Sequence, residues 1–422
     1  MLLHIQTFLL ICIYLPSIAL HYIVVWIDRT IGISLPFPRN IADLSKKQEW
    51  CIGELKKCGL IPANARVLAY KVTPLNQEII FRSNAGVVEI NFELNGEPKT
   101  VKCFAKFAPV SGTIWNRTIF NIQLNHIKET LFNRHFVMAG DAIPAPKVYY
   151  SETSFITGNL CLITELMDNC IEYQECAYES FPQHHLDLML QGMASLHARY
   201  WNDQSPRMKN VLPIGDSTVH LFDTIVAFSW NKSARKILVK SWCRMNEHQT
   251  VLHGDSRIGN MMFPKSETEG RFVFIDWQAV RKGKAAFDLA YFLILSLKEE
   301  HSRQVEQRSI DTYYTHLVNN GISDYSKQEF EEDYRHACLC VLVLLSLPLL
   351  SGEASVEGQG ALIFVFGMNV WRERLQSKFS NFDYQWLAKN YGLTETEGRN
   401  AIAEMLKVIE LRLEKVVREN TK

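Results

Sequence analysis

The sequence predicts an α+β chain of two lobes: an N-lobe built on an antiparallel sheet with one main helix, then a mostly helical C-lobe. Three observations carry that prediction. Between Arg66 and Glu165 the chain runs in short apolar segments punctuated by turn residues, with one helical stretch among them. After Glu165 the apolar positions fall mostly at helical spacing. Among those later helices, one short segment gathers His253-Gly254-Asp255, Asn260 and Asp276 around two brief strands.

The elements follow in order. Ile41 to Cys58 predicts a helix, with Leu44, Trp50 and Leu55 inward and Gly59 as its stop. Ile79-Ile80-Phe81 and Val87 to Leu94 are strand-like and flank Arg82-Ser83-Asn84-Ala85-Gly86, and Asn95-Gly96 is a strong hairpin turn. Val101 to Ala108 is the next strand, closed by Pro109, and Ile119 to Phe136 is the N-lobe helix. Lys147 to Tyr150 and Leu160 to Glu165 complete the strands of this half.

Leu186 to Tyr200 then brings Leu186, Leu190, Met193 and Leu196 near helical spacing. Met261-Met262-Phe263 and Phe272 to Ile275 flank a polar stretch ending in Gly270, which is a hairpin pattern. Ala285 to Leu297 is helical. Ala337 to Leu347 is almost wholly apolar and stops at Pro348, too short to span a bilayer and suited to a buried core helix. Ala401 to Asn420 is amphipathic.

The chain has 422 residues, 47% of them apolar, enough for a sizeable core in two or three domain-sized units or one large two-lobed body. Lys+Arg and Asp+Glu stand at 45 each, so no basic excess marks a nucleic-acid binder. Met1 to Ile27 carry no Asp, Glu, Lys or Arg. With no basic residue before this apolar run and Arg29, Arg39, Lys46 and Lys47 after it, residues 1–28 are expected to be a membrane anchor with the rest cytoplasmic. A signal peptide cleaved near Ser17-Ile18-Ala19 is the competing reading, which would make the rest lumenal or secreted. The sequons at Asn116 and Asn231 matter only in that case. The ten cysteines form no Cys-x-x-Cys pair, so zinc is not suggested, and Cys103, Cys161, Cys338 and Cys340 sit in apolar runs as small core hydrophobes.

Asp255 and Asn260 have the spacing of a kinase catalytic loop, and Asp276 leaves the second strand of the hairpin at the end where the first begins. Phosphoryl transfer from ATP needs such a set: one carboxylate for the acceptor hydroxyl, and an amide oxygen with a second carboxylate for Mg²⁺. Upstream, Lys106 lies deep in an apolar strand, where a bare ammonium needs partners. Nucleotide phosphates and Glu129, the only Glu of the following helix, could supply them; Lys102, on the same side of the strand, is the local competitor. Ser83 to Gly86 can form a loop whose backbone approaches phosphate. Glu165 and Leu166, after the last N-lobe strand, are expected to form a hinge whose backbone meets adenine. The order of a strand-rich lobe and a helical lobe is that of a protein-kinase-like fold, with the nucleotide expected between the lobes.

These residues resemble the aminoglycoside-phosphotransferase-like superfamily of small-molecule kinases, which includes choline-kinase-like and ecdysteroid-kinase-like branches; the latter looks closest. The pieces are Ser83-Asn84-Ala85-Gly86, Lys106, Glu129, Leu196-His197-Ala198, His253-Gly254-Asp255 with Asn260, Ile275-Asp276-Trp277-Gln278 and Asp288-Leu289-Ala290-Tyr291. The resemblance spans roughly Ile41 to the C-terminus, with residues 41–165 as N-lobe and 166–422 as C-lobe.

The resemblance implies ATP and Mg²⁺ as cofactors, a small-molecule hydroxyl acceptor, Asp255 as catalytic base, and Asn260 and Asp276 as metal ligands. It also implies a structural Asp288 that steadies the catalytic loop, a core His197, and a His253 that holds the loop by hydrogen bonds. Asp276 is followed by Trp277-Gln278 rather than Phe-Gly, and no Ala-Pro-Glu follows, which argues against a protein substrate. A pseudokinase or nucleotide-binding module without turnover is the alternative function.

Overall fold

Asn95 and Gly96 both take positive φ, 55° and 86°, the pair of left-handed residues that a tight hairpin turn requires. That turn folds β2 (Asn84–Leu94) onto β3 (Glu97–Phe107), with Ala85 opposite Lys106 and Glu89 opposite Lys102. In this computed structural model the described residues are 19–420, except 29, 32, 76–83, 109–123, 156, 174–180, 212–229, 248, 267–269, 298 and 347–370. The strand expected at Ile79-Ile80-Phe81 and the sequon at Asn116 lie outside them. So do residues 1–18 of the expected anchor; among the described residues no helix is long and apolar enough to cross a membrane.

The chain divides into two compact units, one running to residue 169 and taking back residues 275–279, the other holding 170–274 and 280 onward. In the first, β1 (Arg66–Pro74), β2, β3, β4 (Val148–Thr153) and β5 (Leu160–Glu165) form an antiparallel sheet in the order β1-β2-β3-β5-β4. Period-two alternation sends Val88, Ile90 and Phe92 of β2 and Cys103, Ala105 and Phe107 of β3 to one face. There they pack with Ile41, Leu44, Cys51 and Leu55 from the helices that precede the sheet. Lys106 therefore points to the other face.

A short helix, α1, spans residues 19–28; it buries Val25 and Asp28, leaves Leu20, Ile23 and Trp26 about half exposed, and is tied down where Asn159 Nδ2 and Arg39 donate to Asp28. The single helix expected over Ile41 to Cys58 is two: α2 (Ile41–Lys46), capped by the Asn40 side chain, and α3 (Gln48–Lys57). Lys47 breaks the run at ψ 49°, without the Gly or Pro that would announce it. The N-lobe helix, α4 (Asn125–Phe132), ends in a π-helical turn over Asn133–Val137. The cysteines behave as expected of core hydrophobes. Cys103 and Cys161 are 0% exposed, and burial pushes the Cys103 thiol up to about 12.

The second unit opens with β6 (Cys170–Glu172), which pairs with β8 (Met261–Pro264), itself the hairpin partner of β9 (Val273–Phe274). β7 (Thr250–Leu252) pairs with β10 (Arg281–Gly283). Everything else of substance is helical: α5 (Gln183–Arg199), α6 (Lys232–Met245), α7 (Ala286–Ser296), α8 (Glu299–Asn319), α9 (Lys327–Ser346), α10 (residues 371–380), α11 (Tyr384–Tyr391) and α12 (Glu395–Asn420). The apolar run from Ala337 is a core helix as predicted, since residues 337–343 of α9 are wholly buried. The fold class is thus α+β, a sheet-based unit with one helix, α4, beyond the three that precede its strands, and a mostly helical unit.

One histidine of the helical core makes acid stability testable. His336 on α9 is 5% exposed; its Nδ1 meets Tyr391 Oη at 2.8 Å and its ring stands edge-on to Trp386. Burial first, then the nearby cations Arg244 and Lys240, push its pKa down to about 4, against the opposing pull of Asp333; Glu332 lies 3.9 Å from Nε2. A histidine depressed in the folded state takes up its proton more readily when unfolded. Its contribution to stability is therefore intact above about pH 6.5 and is lost as pH falls toward 4. His336→Gln should flatten the fall in melting temperature between pH 6.5 and 4, removing on the order of 2–3 kcal/mol of pH-dependent stability. Thermal melts of both proteins across that range check this; parallel curves would sink it.

Candidate active site

In the sheet-based unit Lys106 is largely withdrawn from water. Its Nζ lies 3.0 and 3.1 Å from the two carboxylate oxygens of Glu129 and 2.7 Å from Asp276 Oδ1. Lys106 is 7% exposed and Glu129 1%. Burial pulls the Lys106 ammonium down, but the Asp276 and Glu129 carboxylates outweigh it and hold it above the usual lysine range. Glu129 is pushed up, chiefly by burial with help from the Asp276 charge, and against the pull of Lys106. Two carboxylates here share one ammonium. Lys102, the competitor, pairs with Glu89 at 3.3 Å on a half-exposed surface.

Asp276 reaches this cluster in the left-handed region, at φ 63°, a conformation that aspartate tolerates better than most residues. The turn after it is fixed twice over. The Trp277 backbone N–H donates to the Glu129 carboxylate, and the Trp277 ring stacks on Phe132 of α4 with centroids 4.4 Å apart. Glu129 thus holds the lysine and also the residue following Asp276, a second duty that the sequence did not suggest.

The expected phosphate loop is only partly described. Ser83 lies outside the described residues. Asn84 Oδ1 accepts from the Ile41 backbone N–H at 2.7 Å, a structural bond. Gly86 has a packing reason to be glycine, because a Cβ there would stand 2.5 Å from Ile41 Cδ1 and 2.8 Å from the Thr73 carbonyl oxygen. Glu165 ends β5 opposite Cys103, its Oε2 accepting from the Lys147 N–H at 3.1 Å, and Leu166 follows it.

In the helical unit the His253-Gly254-Asp255 motif is a clamped turn. Gly254 takes φ 81°, which turns the chain so that the His253 and Gly254 amides both donate to the Asp288 carboxylate, at 2.7 and 3.0 Å. Ser256 Oγ donates to the Asp288 carbonyl at 2.7 Å, and the Ile258 N–H to Ser296 Oγ at 2.8 Å. His253 Nδ1 accepts from the Asp255 N–H at 3.3 Å, and its ring stacks on Phe274. The loop is therefore pinned to α7 at four residues.

Asn260 Nδ2 donates to Asp255 Oδ2 at 2.9 Å and to the Asp255 carbonyl at 2.8 Å. With its N–H₂ turned to Asp255, the amide leaves its oxygen to other partners. Arg257 Nε lies 3.5 Å from Asp255 Oδ2. Arg257 went unremarked in the sequence, although its place two residues after Asp255 was the available signal. It also counters the upward push that burial gives Glu172 on β6.

Among the described residues no group of three or more His, Cys, Asp or Glu could hold a metal by itself. Asp276 carries a carboxylate and Asn260 an amide oxygen, and each is the kind of hard oxygen donor that Mg²⁺ takes alongside phosphate oxygens and water.

Residues 228–322 match the family model of the ecdysteroid kinase-like family. That stretch holds Asp255, Asn260, Asp276 and Asp288; Lys106 and Glu129 lie before it. An uncharacterized kinase-like protein of Caenorhabditis elegans is 33% identical over 86 residues, which are 20% of this chain and 23% of that protein. The chain thus matches under a quarter of that relative's length. Two solved structures are similar at low identity. A candidate aminoglycoside phosphotransferase of Ralstonia eutropha has TM-score 0.45 and 12% identity, covering 86% of this chain and 98% of its own. An ethanolamine kinase of Plasmodium vivax has TM-score 0.43 and 12% identity, covering 89% and 95%. Likeness at these scores says nothing of the site. The family match sets the resemblance read from the motifs on firm ground for residues 228–322.

Proposed function

We propose that this chain, ecdysteroid kinase-like over residues 228–322, is an ATP- and Mg²⁺-dependent phosphotransferase that phosphorylates a hydroxyl group of a small molecule. The observation that carries the reading is Lys106. A buried ammonium gripped by residues 23 and 170 positions away, the second of them the aspartate of the Ile-Asp-Trp motif, is an expensive arrangement for structure alone. It is what a phosphate-positioning lysine requires.

In this reading Lys106, oriented by Glu129, draws charge from the α/β-phosphates. The Glu165-Leu166 backbone meets the adenine, and the Ser83–Gly86 stretch lies over the phosphates. Asp276 and the Asn260 amide oxygen would hold Mg²⁺. Mg²⁺ bound there would neutralise the charge that builds on the phosphate oxygens during transfer. Asp255 accepts the acceptor hydroxyl's proton; the Asn260 N–H₂ on Oδ2 sets the carboxylate's angle. Catalysis comes mainly from positioning and charge stabilisation. A steroid-like alcohol is the acceptor class that the ecdysteroid kinase-like match favours.

The test is ATP consumption by the full chain with Mg²⁺ over a panel of ecdysteroids, other sterols, aminoglycosides, amino alcohols and sugars. Asp255→Ala should lower acceptor-dependent turnover by about 10³-fold, the scale of general-base loss, while leaving ATP binding unchanged. Full activity in that variant would remove Asp255 from the base role. ATP binding without turnover on any acceptor would favour the pseudokinase alternative.

A further inference from the structure

Tyr313 has no part in the chemistry assigned above, yet it is joined to the loop that carries Asp255. It stands on α8 and is 0% exposed, as are His197 on α5 and Asp288 on α7. The Tyr313 hydroxyl meets His197 Nδ1, and His197 Nε2 lies 3.2 Å from Asp288 Oδ2. Three donors therefore converge on the Asp288 carboxylate, namely His197 and the backbone N–H groups of His253 and Gly254.

Burial pushes the Asp288 carboxyl up, but the hydrogen bond from His197, with help from the Gly254 amide, works against it, and the group is held below the usual carboxylate range. Asp288 is thus ionised and can only accept. The imidazole nitrogen that faces it must carry a hydrogen. In neutral imidazole the other nitrogen is then a bare acceptor, and in a site with no water contact it needs a donor. Tyr313 is suited to be that donor, since burial raises its pKa well above the tyrosine norm and keeps its proton in place. In the opposite tautomer, Nδ1–H would point at Tyr313 and the Nε2 lone pair would face a carboxylate.

We infer that Tyr313 is a positioning residue for the loop that carries Asp255. By donating to His197 Nδ1 it holds the imidazole in the Nε2–H form, aimed at Asp288, and Asp288 so supported grips His253 and Gly254. The inference rests on the phosphotransferase reading only where it treats that loop as catalytic. Tyr313 also stacks on Phe330 at 5.2 Å, so the bland account is a core ring whose hydroxyl is incidental.

The two accounts separate in a double-mutant cycle on the full chain. Tyr313→Phe keeps the ring and removes the donor. His197→Gln supplies an N–H near the reach of Nε2 and has no tautomer to be set. The readout is amide hydrogen exchange at His253 and Gly254, with the β7 amides as control. Tyr313→Phe should speed exchange at those two amides about 10-fold, the scale of one buried hydrogen bond. In the His197→Gln background the same substitution should add nothing. Unchanged exchange in Tyr313→Phe, or an equal effect in both backgrounds, would overturn the inference. If Tyr313→Phe does not fold, His197→Asn removes the Nε2 donor and should loosen the same two amides; unaltered exchange there overturns it equally. Exchange needs no substrate, so this result and the phosphotransferase reading succeed or fail separately.

Discussion

Lys106→Met is expected to cost about 3–5 kcal/mol of stability, far more than a surface lysine would. The substitution keeps the aliphatic stem but leaves Glu129, 1% exposed, and Asp276 facing each other without the ammonium they share. Two facing carboxylates without the ammonium repel each other, so Glu129 should take up a proton more readily than in the wild type. Denaturant titrations of four proteins make the test: wild type, Lys106→Met, Glu129→Gln, and the pair combined. The double variant should recover most of the stability lost in Lys106→Met, because the uncompensated charge is gone. It should not recover nucleotide-dependent turnover, which needs the cation. Additive losses would mean that the three groups do not act as one cluster.

Asp288→Asn is the second large effect, and here the loop suffers before the fold. An asparagine offers one oxygen and one N–H₂ where three donors now converge. At least one of the His253 N–H, the Gly254 N–H and His197 Nε2 then faces another donor, at a cost of about 2–4 kcal/mol. Under the phosphotransferase reading, acceptor-dependent turnover should fall about 10²-fold or more while ATP affinity holds, since that reading gives Asp288 no part in nucleotide binding.

The pH sign follows from Asp288 being held below its ordinary value of 3.8. Its contribution to stability is intact above that value and is lost only as pH falls through the lower folded-state pKa. Wild type should therefore lose this part of its stability only in strong acid, and Asp288→Asn should show no such step. Equal acid sensitivity in the two proteins would sink this account of Asp288.

Much of the site was legible because its signals are local. Asp255, Asn260 and Asp276 fall within one short stretch, and two apolar runs split by a polar segment ending in Gly270 draw the hairpin. Glu129 could be chosen because α4 holds no other glutamate. The loop role of Asp288 and His253 was available through resemblance, and the hydrogen bonds bear it out. What stayed hidden depends on distance along the chain. Nothing near Lys106 indicates that Asp276, 170 positions later, shares its ammonium. Tyr313 lies 116 positions from His197, on a helix whose pattern gives no reason to single out one tyrosine.

Gly86 was read as a place for phosphate to approach, yet its crowding comes from Ile41 on a helix more than forty residues earlier. The break at Lys47 escaped because apolar spacing continues across it and no Gly or Pro interrupts the run. Periodicity reports which face of an element is buried. It does not report which distant element buries it.

The four bonds from α7 to residues 253, 254, 256 and 258 have a consequence for timing. A surface loop of that length would wander through many shapes in nanoseconds, and an arriving ligand would have to wait for the right one. Pinned to a helix in which Asp288, Leu289 and Ala290 are wholly buried, Asp255 inherits the small thermal amplitude of the protein interior. The ordering entropy of the loop is spent once, during folding, and is not charged again at each encounter.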